Sequence, residues 1–238
     1  MFCRTCRGPT GAGFARCYQC ELALADADGL LADAVVPTGY AVRGGRLAED
    51  LRRYKSDRAA AAEAATAAAR LRERLAAFLA DRGQSVWEAA GMAAGPGAVA
   101  VVPSGQGRAG EHPLVSLVRS CTALPLVRLD VVAPEAHARG VDPGWVGVAD
   151  RVHGVDVLVV DDTWVSGGSA QSVAAALKLA GARRVAVVVL GRHVNPADPR
   201  SAGFLASVRA ASVPAAGGGA ARSTAPAPDQ DGAARASG

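Results

Sequence analysis

Four cysteines near the start of the chain have a spacing suited to one metal ion. Cys3 and Cys6 form one CxxC pair, and Cys17 and Cys20 form a second, with ten residues between the pairs. A CxxC turn holds two thiolates at the separation that a tetrahedral ion requires, and two such turns complete a closed four-sulfur site. Because a segment of about 20 residues has almost no hydrophobic core, bound metal would supply most of its stability. We expect structural zinc; chance thiols, a redox pair or cluster ligands are the alternatives.

A pair of aspartates followed by a glycine-rich turn points to a phosphorylated sugar. The apolar run 157–160 leads directly into Asp161 and Asp162, and the next turn ends in Ser-Gly-Gly-Ser at 166–169. A helix starting there would offer free N–H groups, its positive dipole end and serine hydroxyls to a phosphate. Two carboxylates would repel that phosphate unless they faced vicinal hydroxyls or a divalent cation. A ribose phosphate meets both conditions, whereas the alternative is an aspartate-rich capping turn at a strand end.

A second glycine pattern, GxGxxG, is a competing signal for a dinucleotide site. Gly105, Gly107 and Gly110 follow a predicted strand, and Asp130 ends the next apolar run 20 residues later. In such sites the third glycine packs inside the first helical turn, but Pro113 is best placed at the first helical position, which leaves Gly110 outside. An NAD-binding oxidoreductase of the Rossmann type is therefore the weaker interpretation, because it also leaves the two aspartates without a role.

The elements that would position these residues follow from the apolar pattern. Between 98 and 205, short Val- and Leu-rich runs alternate with helical patterns, which is typical of parallel strands buried on both faces. The run 157–160, the helical pattern 169–181 and the run 184–190 predict a right-handed βαβ unit with its loop at the carboxyl end of the first strand. Upstream, strong helix formers over 46–82 predict one or two helices that end near Gly83.

Composition limits the class of protein. The chain has 238 residues, of which 50% are hydrophobic and 20% charged, so it can bury a core and is not wholly disordered. No stretch approaches the roughly 18 to 20 apolar residues of a membrane span, and no export signal is visible, so we expect a cytoplasmic protein without a membrane partner. A net charge of +4 without a long basic block gives only weak support for nucleic-acid binding.

The sequence VLVVDDTWVSGGSA, residues 157–170, resembles the phosphoribosyl pyrophosphate (PRPP) motif of the type I phosphoribosyltransferases. Together with the four-cysteine module and Tyr-Lys-Ser-Asp at 54–57, it makes the chain similar to the ComF-like phosphoribosyltransferases over roughly residues 1–195. The resemblance implies an α/β fold with a type I phosphoribosyltransferase core, that is, a mostly parallel sheet with flanking helices. It also implies four regions: a zinc knuckle at 1–25, a helical hood at 26–97, the core at 98–210 and a disordered tail at 211–238.

The resemblance also assigns roles to residues. Asp161 and Asp162 would bind the ribose hydroxyls, and the residues that follow would bind the 5′-phosphate. The residues expected to contact this part of PRPP are Asp161, Asp162, Thr163, Val165, Ser166, Gly167, Gly168 and Ser169. Those of the pyrophosphate loop, within 101–113, are Ser104, Gly105, Gln106, Gly107 and Arg108. The implied reaction transfers a 5-phosphoribosyl group from PRPP, bound with magnesium, to an unidentified nitrogen acceptor and releases pyrophosphate.

Some positions depart from the family pattern or stand outside it. Residues 132–150 keep Arg139 but little else of the Arg- and Gln-containing loop that family members carry before the PRPP strand. This divergence motivates an alternative function, a non-catalytic PRPP or nucleotide sensor or a DNA-uptake (competence) adaptor. We expect Lys55 to be solvated and Cys121 to be a small buried hydrophobe. Arg192 and His193 follow the last strand at the ligand-facing edge, where they could contact the acceptor.

Overall fold

The computed structural model describes residues 2–104, 111–132 and 140–212. Its helices are α1 (Tyr18–Asp26), α2 (Arg46–Arg53), α3 (Ala61–Ala90), α4 (Pro113–Arg119), α5 (Gly168–Leu179) and α6 (Ser201–Ser212). Its strands are β1 (Ala34–Pro37), β2 (Tyr40–Val42), β3 (Ala98–Val101), β4 (Leu126–Val127), β5 (Leu129–Val131), β6 (Val146–Val148), β7 (Asp156–Trp164) and β8 (Arg184–Val194).

A parallel sheet forms the centre of the described part of the chain. Its strand order is β1-β8-β7-β3-β4, with β2 also paired to β8, and every pairing in it is parallel. β7 and β8 are buried along almost their whole length, which explains why they appear in the sequence as continuous apolar runs. The prediction of a mostly parallel sheet with flanking helices is confirmed. β5 and β6 form a separate antiparallel pair.

Each face of the sheet carries its own hydrophobic core. Helices α2, α3 and α4 cover one face, where their leucines pack against alternate residues of β3, β7 and β8. Helix α5 covers the other face together with the N-terminal cysteines, which belong to the same core cluster as β7 and β8. The cysteine segment is therefore packed onto the sheet and is not a separate appendage.

The segment 26–97 differs in two ways from the expected helical hood. It contributes β1 and β2 to the parallel sheet beside β8. In addition, α3 continues past Gly83 to Ala90, so the prediction that the helix ends near Gly83 is wrong. Gly83 is buried within this helix, and a Cβ there would lie 3.4 Å from the Trp87 ring, an ordinary van der Waals distance, so neither backbone nor packing ends the helix here. The helix stops at Gly91, whose φ of 72° is left-handed.

Two further expectations from the sequence concern the C-terminal tail and the absence of a membrane span. Helix α6 ends at Ser212, so the predicted disordered tail, 211–238, lies outside the described residues except for its first two. None of the helices in the described ranges combines the length and the apolar character needed to cross a membrane.

Candidate functional site

The site lies where the direction of strand addition changes. From β3 the chain proceeds to β4 on one side, and later to β7 on the other, so the carboxyl ends of β3 and β7 flank a topological switch point. In open α/β sheets, ligands bind in the crevice at such a point. Val101 and Val160 are register partners, so the loops that follow the two strands start side by side. Ser104 lies in the first loop and is half-buried, whereas the predicted contacts Gly105, Gln106, Gly107 and Arg108 lie outside the described residues.

Asp161 and Asp162 lie within β7 near its carboxyl end, and only 9% and 7% of their surfaces are exposed. Oδ1 of Asp161 accepts a hydrogen bond of 2.8 Å from the backbone N–H of Asp162. Oδ2 of Asp162 accepts hydrogen bonds from the Tyr54 hydroxyl and, at 2.8 Å, from Lys55 Nζ. The expectation that Lys55 is simply solvated is therefore wrong, because its ammonium forms an ion pair with a buried carboxylate.

The pKa values of the two carboxyls shift in opposite directions. Burial, and then the neighbouring Asp162 carboxylate, raise the pKa of Asp161 to about 7. Burial opposes ionisation of Asp162 as well, but the Lys55 ammonium and the Tyr54 hydroxyl outweigh it and lower the pKa of that carboxyl. The pair can therefore hold one proton near neutral pH, and Lys55 balances the remaining charge. This arrangement reduces the repulsion that two free carboxylates would exert on a nearby phosphate.

The glycine-rich turn after β7 is built on Trp164. Gly167 is the N-cap of α5 with a φ of 90°, and a Cβ at this position would overlap the indole ring of Trp164. Glycine is required here both by the left-handed backbone and by the close approach. The turn thus rests on a ring that is 1% exposed, which gives the unusually large Trp164 a structural role.

The other predicted phosphate contacts surround this turn. Ser166 is half-buried, and its Oγ accepts a hydrogen bond of 3.4 Å from the Gly168 N–H at the start of α5. Val165 is 60% exposed beside it, and Thr163 and Ser169 are half-buried. The structure therefore places all eight predicted contacts, 161–163 and 165–169, at one strand end and the first turn of one helix.

A cavity of about 270 Å³ separates this turn from the N-terminal helix. Ser166 and Gly168 form one side, and α1 forms the opposite side through Gln19, Leu22 and Asp26 among others. The cysteine segment therefore supplies a wall of the space next to the predicted phosphate position, a role that the sequence did not indicate.

The four N-terminal cysteines converge on one point. All four sulfur atoms lie within 4.8 Å of one another, and the Sγ atoms of Cys6 and Cys17 are 3.7 Å apart. A disulfide would hold two sulfurs at about 2.05 Å. By contrast, four thiolates about 2.3 Å from a tetrahedral ion lie about 3.8 Å from one another. The set could hold a metal ion, and it is the one such group among the described residues.

Arg192 of β8 is a buried arginine that packs against the cysteine segment. It is 8% exposed, and its Nη1 donates hydrogen bonds to the carbonyl oxygens of Trp164 at 3.1 Å and His193 at 2.7 Å. Its guanidinium packs against Gly8, since a Cβ there would lie 2.8 Å from Nε. These buried hydrogen bonds give Arg192 a structural role, and they do not support the suggestion that it contacts an acceptor. His193 is half-buried, and burial followed by the charges of Arg192 and Arg43 lowers its pKa.

The structure also bears on the dinucleotide interpretation. Helix α4 begins at Pro113, so the third glycine of the GxGxxG pattern precedes the helix. Asp130 is exposed on β5, which pairs antiparallel with β6 and does not belong to the parallel sheet. An acid that binds a ribose in a Rossmann site follows a neighbouring parallel strand. Asp130 does come three residues after β4, a parallel neighbour of β3, but it lies on a strand of the separate antiparallel pair. The helix start at Pro113, which leaves the third glycine outside α4, is therefore the observation that opposes this interpretation.

Comparisons with known proteins give a limited result. A scan against protein-family models finds no match, and neither does a search of curated proteins. Among solved structures, the chain is similar to a hypoxanthine phosphoribosyltransferase from Staphylococcus aureus at 14% identity, covering 52% of this chain and 74% of that one, with a TM-score of 0.33. It is also similar to a purine phosphoribosyltransferase from Pyrococcus horikoshii at 18% identity, with coverages of 56% and 89% and a TM-score of 0.34.

A third similar structure is the Mycobacterium tuberculosis orotate phosphoribosyltransferase in complex with PRPP, at 18% identity, with coverages of 63% and 84% and a TM-score of 0.34. TM-scores this low do not establish a function for this chain.

Proposed function

We propose that this chain is a phosphoribosyltransferase-like protein that binds PRPP with magnesium and transfers the 5-phosphoribosyl group to a nitrogen acceptor. One observation carries the proposal: an acidic pair and a glycine-rich helix start lie on the same strand end at the switch point between β3 and β7. The four-cysteine module and the Tyr54–Lys55 contacts to Asp162 support the resemblance to the ComF-like group.

The proposed ligand spans this crevice in a defined direction. The N–H groups at the start of α5 and the hydroxyl of Ser166 would hold the 5′-phosphate, where the helix dipole favours an anion. Asp161 and Asp162 would accept hydrogen bonds from the ribose 2′ and 3′ hydroxyls. The diphosphate would then extend toward the loop after β3, where Ser104, Gly105, Gln106, Gly107 and Arg108 follow in the sequence.

The reaction exchanges two bonds at the ribose C1. The bond from C1 to the pyrophosphate oxygen breaks as a bond from the acceptor nitrogen forms, so positive charge develops on the ribose and negative charge on the leaving group. Arg108 and backbone N–H groups of its loop would stabilise the leaving pyrophosphate. Magnesium would neutralise part of this charge, and the paired carboxylates could supply the one or two oxygens that proteins commonly give to it when substrate phosphates supply others.

We further propose that Cys3, Cys6, Cys17 and Cys20 bind one structural zinc ion. Four thiolates close the tetrahedral shell and leave no position for water, as in structural zinc sites. Three of the four side chains are buried, which also fits a structural role.

Calorimetry with PRPP and magnesium tests the ligand assignment. At about pH 8.5, above the pKa of Asp161, the double variant Asp161→Asn with Asp162→Asn should lose binding by at least about 100-fold, because two charged hydrogen-bond acceptors, each contributing about 1.5 to 3 kcal/mol, are replaced. The matched control is Asp81→Asn, an exposed aspartate of α3, which should bind as the wild type does. Unaltered affinity in the double variant would remove the site assignment.

A pyrophosphate-release assay across nucleobases and other nitrogen acceptors then tests turnover. Release that depends on one acceptor class would establish the transferase and identify its substrate. Tight PRPP binding without release for any acceptor would instead favour the sensor or competence adaptor.

A further inference from the structure

Arg192 connects two parts of the molecule that are distant in sequence. Its Nη1 donates to the carbonyl oxygen of Trp164, the residue on which Gly167 packs at the start of the phosphate turn. On its other side the guanidinium contacts Gly8, whose carbonyl oxygen accepts a 2.8 Å hydrogen bond from the N–H of Cys3. A single buried side chain therefore spans the distance from the end of β7 to the backbone that orients a cysteine of the cluster.

The contact between the Arg192 guanidinium and the cysteine segment is electrostatic as well as steric. Four thiolates around a divalent cation carry a net charge of −2, and a buried cation beside them is favoured. Arg192 is such a cation, and its Nε is buried with no hydrogen-bond partner among the described residues. A guanidinium cannot relieve this cost by losing its proton, because arginine stays charged in proteins. The cost of burying it is therefore lowest when the cysteine cluster holds its ion.

Helix α1 is a second connection between the cysteine cluster and the phosphate turn. Cys17 is the N-cap of α1 and Cys20 lies in its first turn, so an ion at the cluster fixes the start of this helix. Further along, α1 lines the cavity opposite Ser166 and Gly168. The cysteine cluster is thus connected to the phosphate turn by two routes, the Arg192 side chain and helix α1.

We propose that Arg192 is a positioning residue that couples ion binding at the four cysteines to the order of the turn 165–169. The ion stabilises the guanidinium against Gly8, and the guanidinium in turn holds the Trp164 carbonyl and so the ring under Gly167. Because such coupling is reciprocal, a ligand on the turn and zinc at the cluster raise each other's affinity by the same factor. The identity of that ligand as PRPP rests on the proposed function, but the coupling itself does not.

Hydrogen exchange of the full-length chain tests the coupling with zinc as the only added ligand. In the wild type, zinc should slow the exchange of peptides that cover 165–169 relative to chelator-treated protein. In Arg192→Met, zinc should still bind, about 10- to 100-fold more weakly as measured by competition with a chromophoric chelator, because outer-shell partners commonly contribute this much. The exchange of 165–169 in this variant should no longer respond to zinc.

One further test variant and two controls keep the proposal testable if Arg192→Met folds poorly. Gly8→Ala keeps the arginine but displaces its guanidinium, since the new Cβ would lie 2.8 Å from Nε, and it should reduce the zinc response in the same way. Gly11→Ala is the knuckle control, because its Cβ meets only an exposed Phe14 ring. Arg184→Met is the control for losing an arginine of β8, at the strand's opposite, exposed end. Both controls should respond as the wild type does.

The outcomes separate the coupling from the proposed function. The coupling would be overturned if zinc did not slow the exchange of 165–169 in the wild type. It would also be overturned if zinc slowed that exchange as much in Arg192→Met and Gly8→Ala as in the wild type. A zinc-loaded wild type that shows the response yet fails to bind PRPP would refute the PRPP assignment and leave the coupling standing. If both hold, removal of zinc should weaken PRPP binding in the wild type more than in Arg192→Met.

Discussion

Tyr54 and Lys55 contribute to the chemistry of the site because both bind the Asp162 carboxylate and lower its pKa. They are separated from Asp162 by more than a hundred residues, yet both contact the same carboxylate oxygen. The sequence could mark Tyr54–Asp57 as a motif, but it could not show the contact, because that depends on how α2 packs against α3, β2 and β8 and so places its C-terminal end beside Asp162. The aspartates themselves were predictable, since an apolar strand, two acids and a glycine-rich turn are contiguous in the chain.

Removal of the Tyr54 hydroxyl tests this contact. Tyr54→Phe leaves the buried Asp162 carboxylate with one partner fewer, so the free energy of unfolding should fall by about 1.5 to 3 kcal/mol, the usual contribution of a hydrogen bond to a charged group. The control is Tyr18→Phe, whose ring is 69% exposed and whose loss of a hydroxyl should change stability by less than about 0.5 kcal/mol. Equal losses in urea denaturation for the two variants would contradict the assigned role of Tyr54.

The raised pKa of Asp161 predicts a pH-dependent stability. With a folded-state pKa of about 7 and an unfolded value near 3.9, the folded chain binds more protons than the unfolded chain between these two pH values. The contribution of Asp161 to the free energy of unfolding should therefore decrease as pH rises from about 4 to about 7, with a slope of up to about 1.4 kcal/mol per pH unit. The lowered pKa of Asp162 acts below its unfolded value, near 3.9, and so outside this window.

Urea denaturation of wild type and Asp161→Asn at several pH values isolates this effect. The asparagine variant lacks the titrating group but keeps the neighbouring Asp162 and Lys55, so the wild type should lose stability relative to it across the window. Parallel pH profiles for the two proteins would show that the pKa of Asp161 is not raised.

At the scale of elements, local pattern predicted the core of each strand but not its ends. The apolar run predicts a strand over 157–160, whereas β7 continues to Trp164 because Thr163 and Trp164 still pair with Gly191 and Arg192 of β8. Such pairing is a long-range property that hydrophobic periodicity does not record. The same reason explains β1 and β2, which are short and join the sheet only through β8.

The turn between β7 and α5 gives a prediction at this scale. Gly167→Ala combines a left-handed backbone with a Cβ that overlaps the Trp164 ring, whereas Gly154→Ala meets only the backbone cost, since its φ is 76° and nothing lies within 4 Å of the new Cβ. Gly154→Ala should lose about 1 to 2 kcal/mol of stability. Gly167→Ala should lose clearly more and should also weaken PRPP binding, as calorimetry would show. Equal losses of stability would mean that the ring does not support the turn.

At the scale of the whole molecule, the cysteine segment belongs to the domain that it caps. Cys3, Cys6 and Cys20 share a core cluster with β7, β8 and α5. Phe2 stacks edge-on against Phe204 of α6, with ring centroids 5.1 Å apart, and Tyr40 of β2 contacts the same phenylalanine. The start and the end of the described chain therefore meet beside the cluster. The cysteine spacing predicted the ligand set, but a 20-residue pattern contains no information on the surface against which it packs.

This integration predicts that loss of the metal destabilises the entire domain and not the N-terminal segment alone. Cys17→Ser removes one ligand from a half-buried position, so the variant should fall below one equivalent of zinc by atomic absorption and unfold at a lower temperature. Zinc at about 1,000 times its Kd contributes about 4 kcal/mol to the folded state, which sets the scale of the loss. Cys121→Ser is the matched control, because Cys121 is also half-buried but lies outside the cluster, and it should keep one zinc per chain. A Cys17→Ser protein whose melting curve matches that of Cys121→Ser would show that the fold does not depend on the ion.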